Sequence, residues 1–262
     1  MTTVAIIPAR MASTRFPGKP MKNINRIPMI GHVYYRTKLA RNVDLTCVAT
    51  CDREIYDYIH SIGGLAIMTS DTHERASDRT AEALLKLEEQ QGEMFHYVAM
   101  IQGDEPCVHP DSIDKAIDVL INDSSLNIVN LMGIIESKDS FKDPNEVKVV
   151  TDLKNNALYF SREPIPSMWH GMSGLPMKKQ TGLIFFRRDY LLQFNDMEQT
   201  PLEIIESVDM IRVLENGDRV RMIEMKEISV GVDNIHDFKV AEKLLKNDPL
   251  LQRYQNDGDN LL

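Results

Sequence analysis

The residues best suited to chemistry in this chain form a cation-rich loop close to its amino terminus. An apolar run over residues 4–8 ends in proline, as expected of a buried parallel strand that leads into a loop. Backbone NH groups, guanidinium groups and an ammonium group can together surround a triphosphate, whose charge density requires several donors. The loop therefore predicts phosphate binding, and its candidate donors are Arg10, Ser13, Arg15 and Lys19.

Two familiar phosphate-binding motifs are absent from this loop. A Walker motif needs a second glycine five residues before Gly18, and here Lys19 is followed by Pro20. The dinucleotide fingerprint GxGxxG does not occur either. A solvated turn with surface cations is the alternative, but three cations within ten residues after a buried strand favour phosphate binding.

Two carboxylates stand at positions suited to a hard divalent cation. Asp104 follows a predicted strand, and Asp233 follows a short apolar run just before the last predicted helix. Mg²⁺ takes one or two protein carboxylates together with substrate phosphates, so Asp104 is the candidate for a Mg²⁺ site and Asp233 is a further position of interest. The alternative, that each carboxylate caps the helix that follows, stays open at both positions.

Alternating strands and helices in the first half of the chain must position these residues. Their βαβαβαβα order predicts an α/β fold with a doubly wound, mostly parallel sheet and right-handed crossovers. Ligands bind outside the carboxyl ends of parallel strands, which is where the cationic loop and Asp104 fall. The predicted strands are 4–8, 45–49, 65–68 and 97–101, and the predicted helices are 29–41, 53–61, 77–90 and 110–121.

After residue 122 the pattern changes to that of a smaller mixed lobe, with a hairpin expected at 152–156. Without an internal repeat or a flexible linker, we expect one domain over residues 1–250, divided into halves at 1–122 and 123–250. A polar tail at 251–262 is expected to fray. The predicted strands here are 128–134, 147–151, 157–160, 183–186 and 221–225, and the predicted helices are 189–194, 201–205, 208–216 and 235–246.

The distribution of charge along the chain indicates which classes of ligand the protein could bind. The chain has 262 residues and a formal net charge of −9, yet residues 1–43 carry eight basic side chains and no acidic one. An acidic body with one cationic corner suits a small polyanion and argues against nucleic-acid binding. An acid-free start also resembles an organelle transit peptide, but Pro17, Gly18 and Pro20 prevent the continuous helix that such a peptide forms.

The cysteine content and the hydropathy of the chain indicate in which cellular compartment we expect the protein. The three cysteines, Cys47, Cys51 and Cys107, have neither disulfide-framework spacing nor the paired spacing of a zinc site. No run approaches 18 apolar residues, and the first residues lack a signal-peptide pattern. We therefore expect a cytoplasmic protein without a membrane span.

Eight short motifs occur in order between about residue 3 and residue 240. They are PARMASTRFPGKP from Pro8, PMIGHV from Pro28, VAT from Val48, QGDEP from Gln102, PNEVKVV from Pro144, ALYFSR from Ala157, PLE from Pro201 and GVD from Gly231. Together they resemble the 3-deoxy-manno-octulosonate cytidylyltransferases, also called CMP-Kdo synthetases. The resemblance implies a sugar-nucleotide type of nucleotidyltransferase fold, Mg²⁺ dependence, CTP as nucleotide donor and a homodimer. The implied reaction joins CMP to the anomeric hydroxyl of a 2-keto sugar acid, Kdo or a Kdo-like acid, and releases pyrophosphate.

The resemblance also implies roles for individual residues. Asp104 and Asp233 fall on the two metal-binding carboxylates of the family and, with Arg10 and Lys19, would be catalytic. Residues 1–122 would then hold the nucleotide, and residues 123–250 the sugar acid and the dimer contacts. The implied nucleotide-binding residues are Pro8, Ala9, Arg10, Ser13, Arg15, Lys19, Ser77 and Arg79, and the implied acid-binding residues are Gln102, Arg162, Gln180 and Glu203.

Two segments depart from the family pattern. Residues 73–77 read HERAS where the family usually has HQSGT, which adds a charge pair and removes a glycine. Residues 179–184 read KQTGLI where the family usually has RHxGIY, which replaces an imidazole and a phenol. Because lost hydrogen-bond partners can redirect specificity, 8-amino-Kdo, a nonulosonic acid or a phosphonate stays an alternative to Kdo. A catalytically silent nucleotide-binding homologue is a further alternative, and the loop at Trp169 and His170 has no assigned role.

Overall fold

The structure is a computed structural model that describes residues 1–12, 15–135, 137–169, 171, 177–227 and 229–255. Its strands are β1 (Thr3–Ala9), β2 (Asn23–Ile24), β3 (Ile27–Pro28), β4 (Leu45–Thr50), β5 (Leu65–Met68), β6 (Tyr97–Ile101), β7 (Ile128–Ile135), β8 (Lys148–Thr151), β9 (Ala157–Ser161), β10 (Met177–Arg187) and β11 (Arg221–Glu224). Its α-helices are α1 (Met29–Lys38), α2 (Arg53–Ser61), α3 (Ala76–Gln91), α4 (Pro110–Asn122), α5 (Lys138–Lys142), α6 (Arg188–Asp196), α7 (Pro201–Glu206), α8 (Met210–Glu215) and α9 (Ile235–Lys246).

The main sheet has the strand order β11-β7-β10-β6-β1-β4-β5, with β8 and β9 attached beside β10. The pairs β1·β4, β1·β6, β4·β5 and β7·β11 are parallel, whereas β10 runs antiparallel to both β6 and β7. This arrangement confirms the mostly parallel sheet predicted from the βα alternation. The antiparallel β10 lies where the mixed second half joins the first.

Helices cover both faces of the sheet because alternate residues of β1 point to opposite sides. Ala5 and Ile7 pack in one apolar core together with residues of α1, α2 and α4. Val4 and Ile6 pack in a second core together with residues of α3, α6 and α8. All four β1 side chains are fully buried, as expected of a strand in a doubly wound sheet.

The observed elements differ from the predicted ones in a few places. Helix α1 ends at Lys38 rather than at residue 41, and β10 begins at Met177, six residues before the predicted strand. The short hairpin β2–β3 and the one-turn helix α5 were not predicted. The hairpin and α5 are too short, and the start of β10 is too polar, for apolar residues to recur with the period of 2 or 3.6 residues that indicates a strand or a helix.

The carboxyl-terminal segment corrects the predicted start of the frayed tail. Pro249–Arg253 forms a 3₁₀ helix, and the side chains of Leu251 and Tyr254 are buried. The Tyr254 hydroxyl lies 3.0 Å from Nδ1 of His32 in α1. The chain therefore stays packed against α1 as far as residue 254, three residues past the predicted start of the tail. Residues 256–262 lie outside the described part. Within the described residues, no helix combines the length and the apolar character needed to cross a bilayer.

Candidate active site

Two adjoining cavities open at the carboxyl end of β1 and β6. The first has a volume of about 360 Å³ and is lined by the cationic loop, the start of α3 and the turn after β6. The second has a volume of about 430 Å³ and is lined by that turn, the loop before β8, the middle of β10 and the segment before α9. We call the wall that belongs to both cavities the junction. Its residues are Arg15, Arg75, Ala76, Gln102, Asp104 and Asp233.

The close approach of two loops positions the junction. The NH of Gly103 donates a hydrogen bond of 3.2 Å to the carbonyl of Pro8, which joins the turn after β6 to the end of β1. A Cβ atom at Gly103 would lie 2.9 Å from that carbonyl oxygen, closer than side-chain carbons normally come. Glycine is therefore required before Asp104, and this packing holds the Asp104 carboxylate beside the cationic loop.

Lys19 connects the two predicted metal-binding carboxylates. Its Nζ donates to Oδ2 of Asp104 at 2.8 Å and to the carbonyl of Val232 at 2.6 Å, and it lies 3.7 Å from Oδ1 of Asp233. The Lys19 side chain is only 11% exposed, so these contacts are weakly screened by solvent. The sequence assigned the cation and the carboxylates to separate tasks, and the structure brings them into one cluster.

Arg15 completes this cluster from the solvent side. One of its guanidinium nitrogens donates to Oδ1 of Asp233 at 2.8 Å, and another donates to Oδ1 of Asn145 at 2.7 Å. Burial and the nearby charge of Asp104 raise the pKa of Asp233, while Lys19 and Arg15 act in the opposite direction. The two carboxylates are thus close enough to repel each other and are held together by two cations.

The remaining predicted nucleotide-binding residues have different surroundings. Pro8, Ala9 and the exposed Arg10 line the first cavity, and Ser13 lies outside the described residues. Arg79 also lines that cavity although the residue is 97% buried, and its Nη2 has no hydrogen-bond partner among the described residues. Ser77 is buried and its Oγ is likewise unpartnered there, but it lines neither cavity. An unpartnered buried guanidinium nitrogen at a cavity wall is suited to receive a ligand oxygen.

The second cavity contains three of the four residues predicted to bind an acid. Gln102 is at the junction, and Gln180 in β10 donates from Nε2 to Oδ1 of Asn130 at 2.8 Å. The guanidinium of Arg162 donates to three main-chain carbonyls, those of Glu206, Pro144 and Ser207. These carbonyls carry no net charge, so the positive charge of Arg162 in the cavity wall is not cancelled by them.

Glu203, the fourth predicted acid-binding residue, lines neither cavity. Its side chain is 1% exposed and accepts hydrogen bonds from Arg212 at 2.7 and 2.8 Å and from Arg75. Burial raises the pKa of Glu203, but the two arginines outweigh burial and hold that pKa below its ordinary value. Within the described residues, Glu203 therefore reaches the cavities through Arg75.

Two buried residues were missed by sequence reasoning, namely Glu105 in the wall of the second cavity and Lys148, which contacts two residues of that wall. Glu105 accepts hydrogen bonds from Oγ of Ser229 at 2.6 Å and from the NH of Gly182 at 3.2 Å, and burial raises its pKa to about 7. Lys148 is fully buried and donates to the carbonyls of Asp143 and Arg162. Glu105 follows Asp104 directly and Lys148 lies within the PNEVKVV motif, but no pattern in the sequence indicates that both are buried.

Comparison with known proteins supplies the context for this site. A family profile described as Cytidylyltransferase matches residues 4–228. A protein of Geobacter metallireducens named 3-deoxy-manno-octulosonate cytidylyltransferase is 43% identical over 255 residues, which cover 93% of this chain and 98% of that protein. A protein of the same name from Geobacter sulfurreducens is 42% identical over 255 residues, which cover 93% of this chain and all of that protein.

Solved structures have the same fold. The structure of CMP:2-keto-3-deoxy-manno-octonic acid synthetase complexed with CTP matches with a TM-score of 0.85 and 32% identity, and covers 94% of this chain and 99% of that chain. A putative glucose-1-phosphate thymidylyltransferase from Bacillus anthracis matches with a TM-score of 0.68, 14% identity and coverage of 94% and 96%, a likeness of fold alone.

The doubly wound sheet and its charged cleft define an α/β protein of the nucleotidyltransferase class. Because the family profile spans most of the chain and relatives about 43% identical span nearly all of it, the chain belongs to the cytidylyltransferase family. This result confirms the resemblance seen in the eight sequence motifs.

Proposed function

We propose that this chain transfers CMP from CTP to the anomeric hydroxyl of 3-deoxy-manno-octulosonate (Kdo) and releases pyrophosphate. The observation that carries the proposal is the junction, where a cation-rich cavity meets a second cavity of comparable volume. A nucleotide in the first cavity and a sugar acid in the second would bring their reacting groups together there. The names of the relatives and the CTP complex of the matching structure support the choice of both substrates.

The mechanism follows from the charges that face the junction. The anomeric hydroxyl attacks the α-phosphorus in line while pyrophosphate departs, so the protein mainly orients the reactants and neutralises charge. Arg10, Arg15 and Lys19 bind the phosphates and stabilise the departing pyrophosphate. Arg79 contributes its unpartnered Nη2 from the wall of the first cavity.

Mg²⁺ fits the donor set at the junction. Among the described residues no cluster of three or more His, Cys, Asp or Glu side chains could hold a metal, but Mg²⁺ bound with a nucleotide needs only one or two carboxylates. Asp104 and Asp233 supply hard oxygen donors that already share one ammonium group. When bound, Mg²⁺ would neutralise phosphate charge and lower the pKa of the attacking hydroxyl.

Arg162 is the candidate clamp for the acid's carboxylate, because a guanidinium binds a carboxylate bidentately. Three of its N–H groups are used by carbonyls, and its planar group is thereby fixed in the wall of the second cavity. Gln102 and Gln180 add amide groups for sugar hydroxyls. The reaction is expected in the cytoplasm, consistent with the three free cysteines.

Kdo is expected to be the preferred acceptor in a direct competition. Purified protein, CTP and Mg²⁺ would be mixed with Kdo, 8-amino-Kdo, a nonulosonic acid or phosphonoformate, and pyrophosphate release would be followed. We expect kcat/KM for Kdo to exceed the others by at least about tenfold, since sites that bind hydroxyls reject analogues lacking them. A preference for another acid would replace Kdo, and no pyrophosphate with any acid would indicate a catalytically silent homologue.

A homodimer is the assembly we propose, formed through the outer surface of β9 and α7. Leu158, Ile204 and Ile205 there are 62%, 61% and 76% exposed, which is high for large apolar side chains. Glu206 joins the two elements by accepting hydrogen bonds from Oγ of Ser161 and the NH of Arg162.

Light scattering tests this assembly. We expect a mass about twice the 29.9 kDa of one chain, and a monomer for the double variant Ile204→Glu and Ile205→Glu. The matched control is Leu85→Glu in α3, where the leucine is 48% exposed on another surface. A wild-type protein of one-chain mass, or a dimer that survives the double change, would contradict the proposed surface.

A further inference from the structure

Arg75 is a cation at the junction to which the mechanism above gives no role. It is the N-cap residue of α3, it lines both cavities, and its side chain is 25% exposed. The adjacent Glu74 is exposed and forms no ion pair with it in the described structure. Within the described part of the chain, the side chain that accepts a hydrogen bond from the Arg75 guanidinium is Glu203.

Glu203 does not need Arg75 as a partner. Arg212 already forms a two-point contact with it, at 2.8 Å from Nε and 2.7 Å from Nη2. The other terminal nitrogen of Arg212 donates to the carbonyls of Phe194 and Met197, so this buried pair is satisfied. One carboxylate therefore faces two guanidinium groups, and Glu203 alone cannot neutralise both.

Of the two guanidinium groups that share Glu203, only that of Arg75 is located where ligands can reach it in the described structure. Arg212 is 5% exposed and lines neither cavity, whereas Arg75 lines both. A guanidinium has five N–H donors, and Arg75 uses one of them on Glu203. Asp209 in the second cavity is a further acid whose charge acts on Arg75, which lowers the pKa of the Asp209 carboxyl, whereas burial raises it.

We propose that Arg75 binds the substrate oxyanion located at the junction, and that Glu203 and Arg212 hold its guanidinium in place for this contact. The proposal rests on the proposed function and extends it. Two oxyanions meet at the junction, the α-phosphate of the nucleotide and the carboxylate of the acceptor acid. Both have the charge and the geometry that a guanidinium recognises with paired N–H donors.

Two substitutions at Arg75 test the proposal. In Arg75→Met the charge is lost, and in Arg75→Lys the charge is kept but the forked donor geometry is lost. We expect kcat/KM to fall about 10- to 100-fold in the methionine variant and less in the lysine variant, because charge-assisted hydrogen bonds are lost. The thermal midpoint should change little, since Glu203 keeps both bonds from Arg212.

Arg188→Met is the matched control. Arg188 is 20% exposed and forms an ion pair of 2.8 Å with the buried Glu88, but it lines neither cavity. This change also removes an arginine from a buried glutamate, so it reports what loss of such a pair does to activity through stability alone. We expect its kcat and both KM values to match those of the wild type at a temperature where it is folded.

Two measurements distinguish the oxyanion that Arg75 binds. Weaker CTP binding in calorimetry without acceptor assigns Arg75 to the α-phosphate, and a higher KM for the acid with unchanged CTP affinity assigns it to the carboxylate. Unchanged CTP affinity and unchanged acid kinetics in both variants would overturn the proposal. If the wild type releases no pyrophosphate with any acid, the proposed function fails, and CTP titration alone then decides for or against Arg75.

Discussion

Replacement of Asp104 or Asp233 by asparagine should reduce the rate of pyrophosphate release about 100- to 1,000-fold. Both carboxylates face the junction, and each contacts Lys19 at its polar end. Asparagine keeps the shape of the side chain but removes the charge that would hold Mg²⁺ and orient Lys19. Because neither side chain belongs to the apolar cores, the fold should remain intact.

The measurement is turnover at saturating Mg²⁺, with the thermal midpoint recorded for each variant. Asp218→Asn is the matched control, since Asp218 is half-buried and accepts a hydrogen bond of 2.8 Å from Tyr190 outside both cavities. Its turnover should equal that of the wild type. Chelation of Mg²⁺ should abolish wild-type activity. Near-normal turnover in either Asp104→Asn or Asp233→Asn would remove that carboxylate from the metal site.

Elements with clear boundaries in the sequence were predicted closely. Helices α2 and α9 and strands β5 and β6 have the predicted bounds, and in each case polar, glycine or capping residues mark an end. Asn234 caps α9 through its side chain, so Asp233 is not the cap that the alternative interpretation allowed. Its carboxylate is thereby free to contact the cationic loop, as the predicted metal role requires.

Strand β10 shows why other boundaries could not be predicted. Its first residues include Lys178, Lys179 and Gln180, which have no apolar alternation. They are extended because Met177 to Gln180 pair with β7, and this pairing is a tertiary contact that joins distant parts of the chain. Such tertiary contacts override the intrinsic strand propensity of the residues, particularly where polar side chains line a cavity.

The candidate site likewise contains residues that could be predicted from the sequence and a contact that could not. Lys19, Asp104 and Asp233 could be predicted because they stand at the ends of strands or beside loops that a parallel sheet brings to one edge. The contact between Arg75 and Glu203 joins residues 128 positions apart and follows no local pattern. Long-range pairing of charges depends on how α3 and α7 pack, so the sequence could not indicate that Arg75 contacts Glu203 rather than the adjacent Glu74.

Lys19→Met should weaken CTP binding about 10- to 100-fold, because its ammonium makes charge-assisted contacts that water replaces poorly in a cleft. Lys19 also separates Asp104 from Asp233, at 2.8 and 3.7 Å, so its removal leaves the two carboxylates facing each other. The variant should therefore bind triphosphate more weakly while its demand for a divalent cation rises. Calorimetry with CTP at two Mg²⁺ concentrations measures both effects.

Lys22→Met on the same segment provides the control, because Lys22 is exposed and lines neither cavity. Arg15→Met is expected to have a smaller effect than Lys19→Met, since the Arg15 side chain is 53% exposed and its ion pair with Asp233 is screened by solvent. The expected loss of CTP affinity is therefore largest for Lys19→Met, smaller for Arg15→Met and smallest for Lys22→Met, because of burial and position at the cavity. If all three variants bind CTP as the wild type does, the cationic loop does not hold the triphosphate, and the first cavity must take a different ligand.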